Sequence, residues 1–173
     1  LAHLLRAWKD VPAEYGLVLA AGSPDEEGIG NEVATLIADL QRTRSNVWWI
    51  KEMLPHEQLT AMLTAADLFI CPSIYEPLGI VNLEAMGCET AVLGSRVGGI
   101  PEVIADKETG ELVDYNGEAA PYEKALTESI TRLMSQPELL KKYGAAGRVR
   151  AQKLFGWDAV AALTVDLYRK VIG

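Results

Sequence analysis

The chain has 173 residues, of which 49% are hydrophobic, and its formal net charge at pH 7 is −8. This length and composition predict a single domain over residues 1–173 with a sizeable buried core. The acidic balance argues against a nucleic-acid-binding protein, because such a protein needs a basic face for the phosphate backbone.

The chain carries no segment that predicts a membrane or secreted location. No apolar run reaches the roughly 20 residues that a membrane-spanning helix requires, and no signal peptide opens the chain. Cys71 and Cys88 have no metal-binding spacing, and Cys71 lies in an apolar run that is typical of a buried thiol. We therefore expect a cytoplasmic protein without membrane association.

Short apolar runs alternate with amphipathic segments along the chain. Two of these runs, 15–23 and 67–73, are apolar on successive residues, as in strands buried on both faces. Further strands are predicted at 46–52 and 90–95, and a short edge strand at 110–114. Apolar residues three and four positions apart predict helices at 1–11, 29–43, 55–66, 79–88, 99–104, 119–136, 137–155 and 157–172. This alternation predicts an α/β fold, a Rossmann-like parallel sheet with flanking helices and a helical C-terminal tail.

The loop after the third predicted strand leads directly into a helix, in the stretch PSIYEPLGIVNLEAM. Ligands of open α/β sheets bind beyond the carboxyl ends of the strands, where this loop lies. Gly79, Ile80 and Val81 are expected in the first helical turn, whose backbone N–H groups have no intrahelical partner. Together with the helix dipole, these groups would bind an anion without any basic side chain.

Two acids, Glu76 in the loop and Glu84 eight positions later, flank this predicted anion site. A carboxylate near a phosphate has a good reason to be there if it accepts hydrogen bonds from sugar hydroxyls. Two interpretations stay open from the residues alone. Either the pair holds sugars on both sides of a diphosphate, or Glu84 complements the helix dipole and Glu76 is an exposed loop acid.

Motifs of several other enzyme classes do not occur in the sequence. GxGxxG, GxxxxGK[ST], HExxH and GxSxG are missing, and no Asp-x-Asp pair is present to hold a metal on a sugar nucleotide. His3 and His56 have no cluster of ligands around them. We therefore expect structural or surface roles for both histidines and no metal site.

The stretch from Pro72 to Ile104 resembles the nucleotide-sugar half of retaining glycosyltransferases of the GT-B fold, a family that includes bacterial glycogen synthases and sucrose synthases. The shared features are Glu-x7-Glu, here Glu76 to Glu84, the stretch GIVNLEAM across it and GGIPE after it. The segments AADLFICPS and LVLAAGSPDEE also fit, so the resemblance covers essentially the whole chain.

This resemblance implies a role for each part of the stretch. Glu76 would be the catalytic residue beside the transferred hexose, and Glu84 would accept hydrogen bonds from the ribose. The residues against the donor would be Pro77, Leu78, Gly79, Ile80 and Val81. Met53 and Leu54 would line the base pocket. The glycines Gly98 and Gly99 would allow either a close approach to the ligand or a purely structural turn.

The implied reaction is glycosyl transfer with retention of configuration, without metal or cofactor, by positioning and by stabilisation of the leaving diphosphate. The stretch is most similar to the actinobacterial type of glycogen synthase, which implies ADP-glucose or UDP-glucose as donor. The acceptor, an α-1,4-glucan or another sugar, would bind mainly to an N-terminal domain outside this chain.

Other functions stay open beside this one. One is a sucrose-phosphate-type, lipid-directed or small-molecule-directed transferase that uses a UDP- or GDP-sugar. Another, of a different class, is a non-catalytic module that binds a sugar nucleotide. The missing GxGxxG argues against an oxidoreductase, and the Glu-x7-Glu pair argues against an epimerase.

The resemblance also predicts a missing strand. The sheet order of such folds is 3-2-1-4-5-6, and the first strand, with an Arg and a Lys that clamp the diphosphate, would precede Leu1. We therefore expect a fragment that lacks a central strand between 15–23 and 67–73 and has no transferase activity alone. Full pairing of these two strands would contradict the order. The last helix, 157–172, is expected to carry an exposed apolar face where the absent domain would pack.

Overall fold

The computed structural model describes residues 1–20, 22 and 27–172. The strands are β1 (Leu17–Ala20), β2 (Val47–Ile50), β3 (Leu68–Cys71), β4 (Ala91–Ser95) and β5 (Gly110–Val113). The helices are α1 (Ala2–Ala7), α2 (Glu27–Thr43), α3 (His56–Ala65), α4 (Ile80–Gly87), α5 (Ile100–Val103), α6 (Ala119–Met134), α7 (Pro137–Arg150) and α8 (Trp157–Ile172), with a π-helix at Ala151–Phe155. The order of elements confirms the α/β prediction.

The parallel sheet is divided into two parts. β1 pairs with β2, with Leu17 opposite Val47, and β3, β4 and β5 form a second set in that order. Over the residues that the structure describes, no ladder joins β1 to β3. The division lies where the order 3-2-1-4-5-6 places its first strand, so the pairing that would contradict this order is not seen.

A cavity of about 650 Å³ occupies the space between the two parts of the sheet. All residues of β1 and β3 line it, and Leu4 and Trp8 of the first helical segment and Ile130 and Met134 of α6 also contribute. The β3 residues Leu68, Phe69 and Ile70 are only half-buried, although the sequence predicts a strand buried on both faces. The open edge beside β3 explains this difference, because no neighbouring strand covers it.

Strand β4 is the best-covered strand, since all five of its residues are buried. One apolar cluster joins α1, α2 and α6 to β1, β2 and one face of the second set, with Ile37, Leu93 and Tyr122 among its members. A second cluster packs α4 and α5 on the other face of β4, through Met86 and Ile100. The segments that follow β3 and β4 are therefore held at fixed positions at the carboxyl ends of these strands.

Three segments differ from the sequence prediction. Pro55 precedes α3 as its N-cap, whereas the sequence analysis places it inside the first turn. The predicted helix 137–155 ends at Arg150 and continues as the π-helix, where the Arg150 guanidinium donates hydrogen bonds to the carbonyls of Glu102 and Val103. The part of predicted strand 15–23 at residues 21 and 23 lies outside the described residues.

Helix α8 carries the exposed apolar face that the sequence analysis expects. None of its residues is buried, and Trp157, Leu163 and Val171 are among its most exposed apolar side chains. Among the residues described, no helix combines the length and the apolar character needed to cross a membrane.

The half-buried ion pair between Arg132 and Glu111 leads to a prediction about stability. Arg132 donates hydrogen bonds to both carboxylate oxygens of Glu111, whose side chain is 11% exposed, and the Tyr143 hydroxyl donates to the same carboxylate. Burial, and then the nearby Glu111 carboxylate, raises the pKa of the Tyr143 phenol. Arg132→Met leaves the Glu111 charge without its partner, so we expect a loss of about 2 kcal/mol in urea unfolding.

The matched control for this prediction is Lys141→Met. Lys141 pairs with Glu138, and both side chains are more than 70% exposed. Its removal should change the free energy of unfolding by less than about 0.5 kcal/mol. Equal effects of the two substitutions would show that the Glu111 carboxylate does not depend on Arg132.

Candidate functional site

The loop between β3 and α4 ends in a left-handed turn. Gly79 precedes α4 as its N-cap with φ +87°, so it lies just outside the first helical turn in which the sequence analysis places it. A Cβ at Gly79 would come closer than 3.0 Å to the Asn82 side chain, and the backbone conformation itself disfavours other residues. Glycine is therefore required at the point where the loop becomes a helix.

Glu76 folds back onto this helix start. The Gly79 N–H donates a hydrogen bond of 3.2 Å to Oε1 of Glu76, which is half-buried. The carboxylate thus meets one of the N–H groups at the positive end of α4, and the pair fixes the shape of the Pro77-Leu78 turn. The Glu76 carboxylate therefore lies at the N-terminus of α4, where the sequence analysis predicts an anion site.

The turn after β4 holds the same loop from the other side. The Gly99 N–H donates a 3.0 Å hydrogen bond to the Glu76 carbonyl, and Gly98 has φ +51°. A Cβ at Gly98 would come closer than 3.0 Å to the Glu76 carbonyl, and a Cβ at Gly99 would do the same against Pro77. The two glycines are needed for close approach of two backbones, and the Gly98-Gly99 turn serves as the support of the Glu76 loop.

Four of the predicted site residues line the cavity described above. Val81 and Glu84 face it from the first half of α4, and Met53 and Leu54 reach it from the segment after β2. Gly22, shortly after β1, and Pro72, directly after β3, also line it. Because all these segments follow the carboxyl ends of strands, the cavity opens at the edge where ligands of α/β sheets bind.

The remaining predicted residues lie outside the cavity lining. Glu76, Pro77, Leu78, Gly79 and Ile80 form the loop and the start of α4, with Ile80 63% exposed. No acidic side chain lies in the first turn of α4. The N-terminus of α4 thus lies between Glu76, in the loop before it, and the part of the cavity that Val81 and Glu84 line.

The predicted roles of other groups can also be located. Cys71 is a buried free thiol at the end of β3, as expected, and His3 hydrogen-bonds Glu123 at 2.7 Å, in keeping with a structural role. In the part of the chain that the structure describes, no group of three or more His, Cys, Asp and Glu side chains is arranged to hold a metal ion.

Asn82 is not among the site residues predicted from the sequence. This side chain is completely buried directly behind Gly79. One feature of the sequence could have pointed to Asn82. It is a polar residue on the otherwise apolar inner face of α4, between Gly79 and Met86.

Comparisons with known proteins show what this chain is similar to. The family described as "Glycosyl transferases group 1" matches residues 1–150. Alpha-maltose-1-phosphate synthase of Mycolicibacterium smegmatis is 46% identical over 172 residues, which cover 99% of this chain and 44% of that protein. D-inositol 3-phosphate glycosyltransferase of Streptomyces coelicolor is 35% identical over 153 residues, 88% of this chain and 31% of that protein.

Solved structures show the same fold. Sucrose-phosphate synthase from Thermosynechococcus elongatus is 28% identical, with a TM-score of 0.74, over 97% of this chain and 48% of that one. An Anabaena protein solved in complex with UDP-glucose has a TM-score of 0.76 at 19% identity, over 94% of this chain and 44% of that one, a likeness in fold alone. The chain thus spans less than half the length of these relatives.

Proposed function

The chain belongs to the family of group 1 glycosyl transferases, and from this premise we propose that it is the donor-binding half of an enzyme that transfers a glucosyl unit from a nucleoside diphosphate glucose. The observation that carries the proposal is the arrangement around α4. Its N-terminus lies between the Glu76 loop and a cavity lined by Val81, Glu84, Met53 and Leu54.

Each part of such a donor fits a part of this arrangement. The diphosphate would lie against the N–H groups of Gly79, Ile80 and Val81, because a helix N-terminus stabilises negative charge. The ribose hydroxyls would donate to Glu84 where the cavity opens at the carboxyl ends of the strands, and the base would lie against the apolar side chains of Met53 and Leu54. The hexose, at the other end of the diphosphate, would then lie beside Glu76, Pro77 and Leu78.

The chemistry follows from where charge develops. The bond between the anomeric carbon and the diphosphate oxygen breaks, the acceptor hydroxyl oxygen bonds to that carbon, and the proton of that hydroxyl passes to the leaving diphosphate. The negative charge that grows on the leaving diphosphate is stabilised by the N–H groups of α4, and Glu76 orients the hexose hydroxyls. The proposed reaction retains the anomeric configuration and uses no metal.

The acceptor is proposed from the relatives. The protein that is 46% identical over nearly the whole chain is named alpha-maltose-1-phosphate synthase. Maltose 1-phosphate is glucose 1-phosphate that carries a second glucosyl unit, so we propose glucose 1-phosphate as the acceptor. This replaces the glucan expected from the glycogen synthase resemblance as the preferred acceptor, and the glucan becomes the comparison in the assay.

Catalysis is proposed to require a longer enzyme, of which this domain is one half, because the relatives are more than twice as long as the matched region. In this family the acceptor is expected to bind to the other half. The 173-residue chain alone should bind the donor and show no glucosyl transfer. Turnover by the purified chain would contradict this division of roles.

Glu84→Gln tests the proposed ribose contact in the 173-residue chain. We expect affinity for UDP-glucose or ADP-glucose to fall about tenfold, because the charged carboxylate that accepts from the ribose hydroxyls becomes a neutral amide. Isothermal titration calorimetry with the nucleoside diphosphate and its 2′-deoxy analogue isolates this contact. Removal of the 2′-hydroxyl should weaken binding to the wild type and have little further effect in Glu84→Gln.

The matched control is Glu128→Gln on α6, an acid in mid-helix whose side chain is 68% exposed. It should leave both affinities unchanged. An equal penalty for the 2′-deoxy analogue in wild type and Glu84→Gln would place the ribose elsewhere. Absence of binding to every nucleoside diphosphate sugar would overturn the proposed function itself.

A further inference from the structure

Asn82 is a polar side chain in the apolar interior of the protein. It is 0% exposed, and within the described residues neither its Nδ2 nor its Oδ1 has a hydrogen-bond partner. A buried amide left without partners costs about 1–3 kcal/mol relative to one that is satisfied. An apolar residue would fill the same position on α4 without this cost.

The position of the amide relates it to Glu76. Nδ2 of Asn82 lies closer than 3.0 Å to the point where a Cβ on Gly79 would stand, and Cγ of Glu76 lies 3.4 Å from that same point. The amide therefore fills the space that a side chain at Gly79 would take, and the Glu76 side chain borders the same space. Ile100 closes the third side of this space, also at 3.4 Å.

The Glu76 carboxylate has a partner that a donor would take away. In the structure Oε1 accepts the Gly79 N–H at 3.2 Å. Under the proposed function the Gly79 N–H donates to the diphosphate. A carboxylate that competes for this N–H would also repel the phosphate charge. Glu76 must then turn its carboxylate away from Gly79 and needs a new donor to hold it.

We propose that Asn82 is a positioning residue for Glu76. When a phosphate binds the Gly79 N–H, Nδ2 of Asn82 replaces that N–H as the hydrogen-bond donor to the Glu76 carboxylate. The inference rests on the proposed function and adds a partner exchange to it. Nδ2 of the amide, which has no partner in the empty site, gains an acceptor in the occupied site. Asn82 thereby couples diphosphate binding to the orientation of the residue that meets the hexose.

The direct test uses Asn82→Leu, a substitution of similar volume, in the 173-residue chain. Removal of the unpartnered amide should raise the melting temperature of the empty protein by a few degrees. Affinity for UDP should fall about tenfold, as expected for the loss of one hydrogen bond to a charged group that forms when the diphosphate binds. Affinity for UDP-glucose should fall at least as far, because the hexose also depends on the orientation of Glu76. A purely structural role of Asn82 predicts a lower melting temperature of the empty protein and an unchanged affinity for UDP in the folded variant, and either result would overturn the inference.

A double-mutant cycle with Glu76→Ala asks whether Asn82 acts through Glu76. In the Glu76→Ala background, Asn82→Leu should have no further effect on the affinity for UDP. Additive effects would overturn the inference. Asn82→Ala replaces Asn82→Leu in both measurements if the leucine variant does not fold.

A spectroscopic readout separates this inference from the proposed function. On titration with inorganic pyrophosphate, the side-chain amide resonance of Asn82 should shift in the wild type and stay in place in Glu76→Ala. Binding of pyrophosphate without a shift overturns the partner exchange and leaves the proposed function intact. If neither pyrophosphate nor UDP-glucose binds, the anion site itself is wrong and the inference falls with it.

Discussion

Alanine at Gly98 is expected to abolish donor binding, with at least a hundredfold loss of affinity for the nucleoside diphosphate sugar. The Cβ would come closer than 3.0 Å to the Glu76 carbonyl, which is backbone and cannot rotate away, and φ at Gly98 is +51°. The Glu76 loop would have to move, and with it Glu76 and the start of α4. Calorimetry on the 173-residue chain measures the loss, and circular dichroism checks that the fold persists.

The control for Gly98→Ala separates backbone strain from the clash with the loop. Gly117 also has positive φ, +87°, but a Cβ there would meet nothing within 4 Å. Gly117→Ala should therefore lower stability by about 1 kcal/mol at most and leave donor affinity unchanged. A Gly98→Ala variant that binds the donor as well as Gly117→Ala does would show that the loop does not depend on this turn.

Glu76→Ala is expected to lower kcat of the longer enzyme by about a hundredfold or more, with a smaller effect on nucleotide affinity. The substitution removes the group proposed to orient the hexose, whereas the diphosphate contacts of α4 and the ribose contact of Glu84 remain. Glu76→Gln keeps the acceptor for the Gly79 N–H that Oε1 provides, at 3.2 Å in the structure, and removes the charge. It should retain the loop conformation and still lose most of the rate.

The matched control is Glu57→Gln, an exposed acid in the first turn of α3. It also removes an acid at a helix N-terminus, so it reports the general effect of such a charge. Its kcat should equal that of the wild type. A Glu76→Ala enzyme that keeps full kcat would remove Glu76 from the reaction, whatever its effect on binding.

The divided sheet could be anticipated from the sequence because it follows from strand order. Successive apolar runs such as Leu68–Cys71 require cover on both faces, and helices between them fix a parallel arrangement. The resemblance supplied the order in which the strands lie. The structure agrees in that β1 and β3 stay unpaired across the cavity.

The sequence could not predict which groups satisfy one another at the site. The Gly79 N–H donates to Glu76, and the Gly99 N–H to the Glu76 carbonyl, because tertiary packing brings the turns after β3 and β4 together. Such pairings depend on distances of a few ångströms between segments that a pattern of residue types does not encode. Asn82 illustrates the limit, since its missing partner exists only as a property of the folded interior.

The π-helix was missed for a related reason. Residues 137–155 keep a helical pattern throughout, but the Arg150 guanidinium is fixed by the carbonyls of Glu102 and Val103 on α5. The change of helix type begins directly after this residue. Local periodicity is insensitive to such a change, because a π-turn adds a single residue to the helical repeat.

The measurement that tests the central claim most directly is nucleotide release by the longer enzyme. ADP-glucose and UDP-glucose are each supplied alone, with glucose 1-phosphate and with glycogen, for wild type and Glu76→Ala. We predict release that depends on glucose 1-phosphate, yields an α-linked product and collapses in the variant. Dependence on glycogen instead would change the acceptor and keep the glucosyl transfer. Absence of release from either donor with either acceptor would contradict the account.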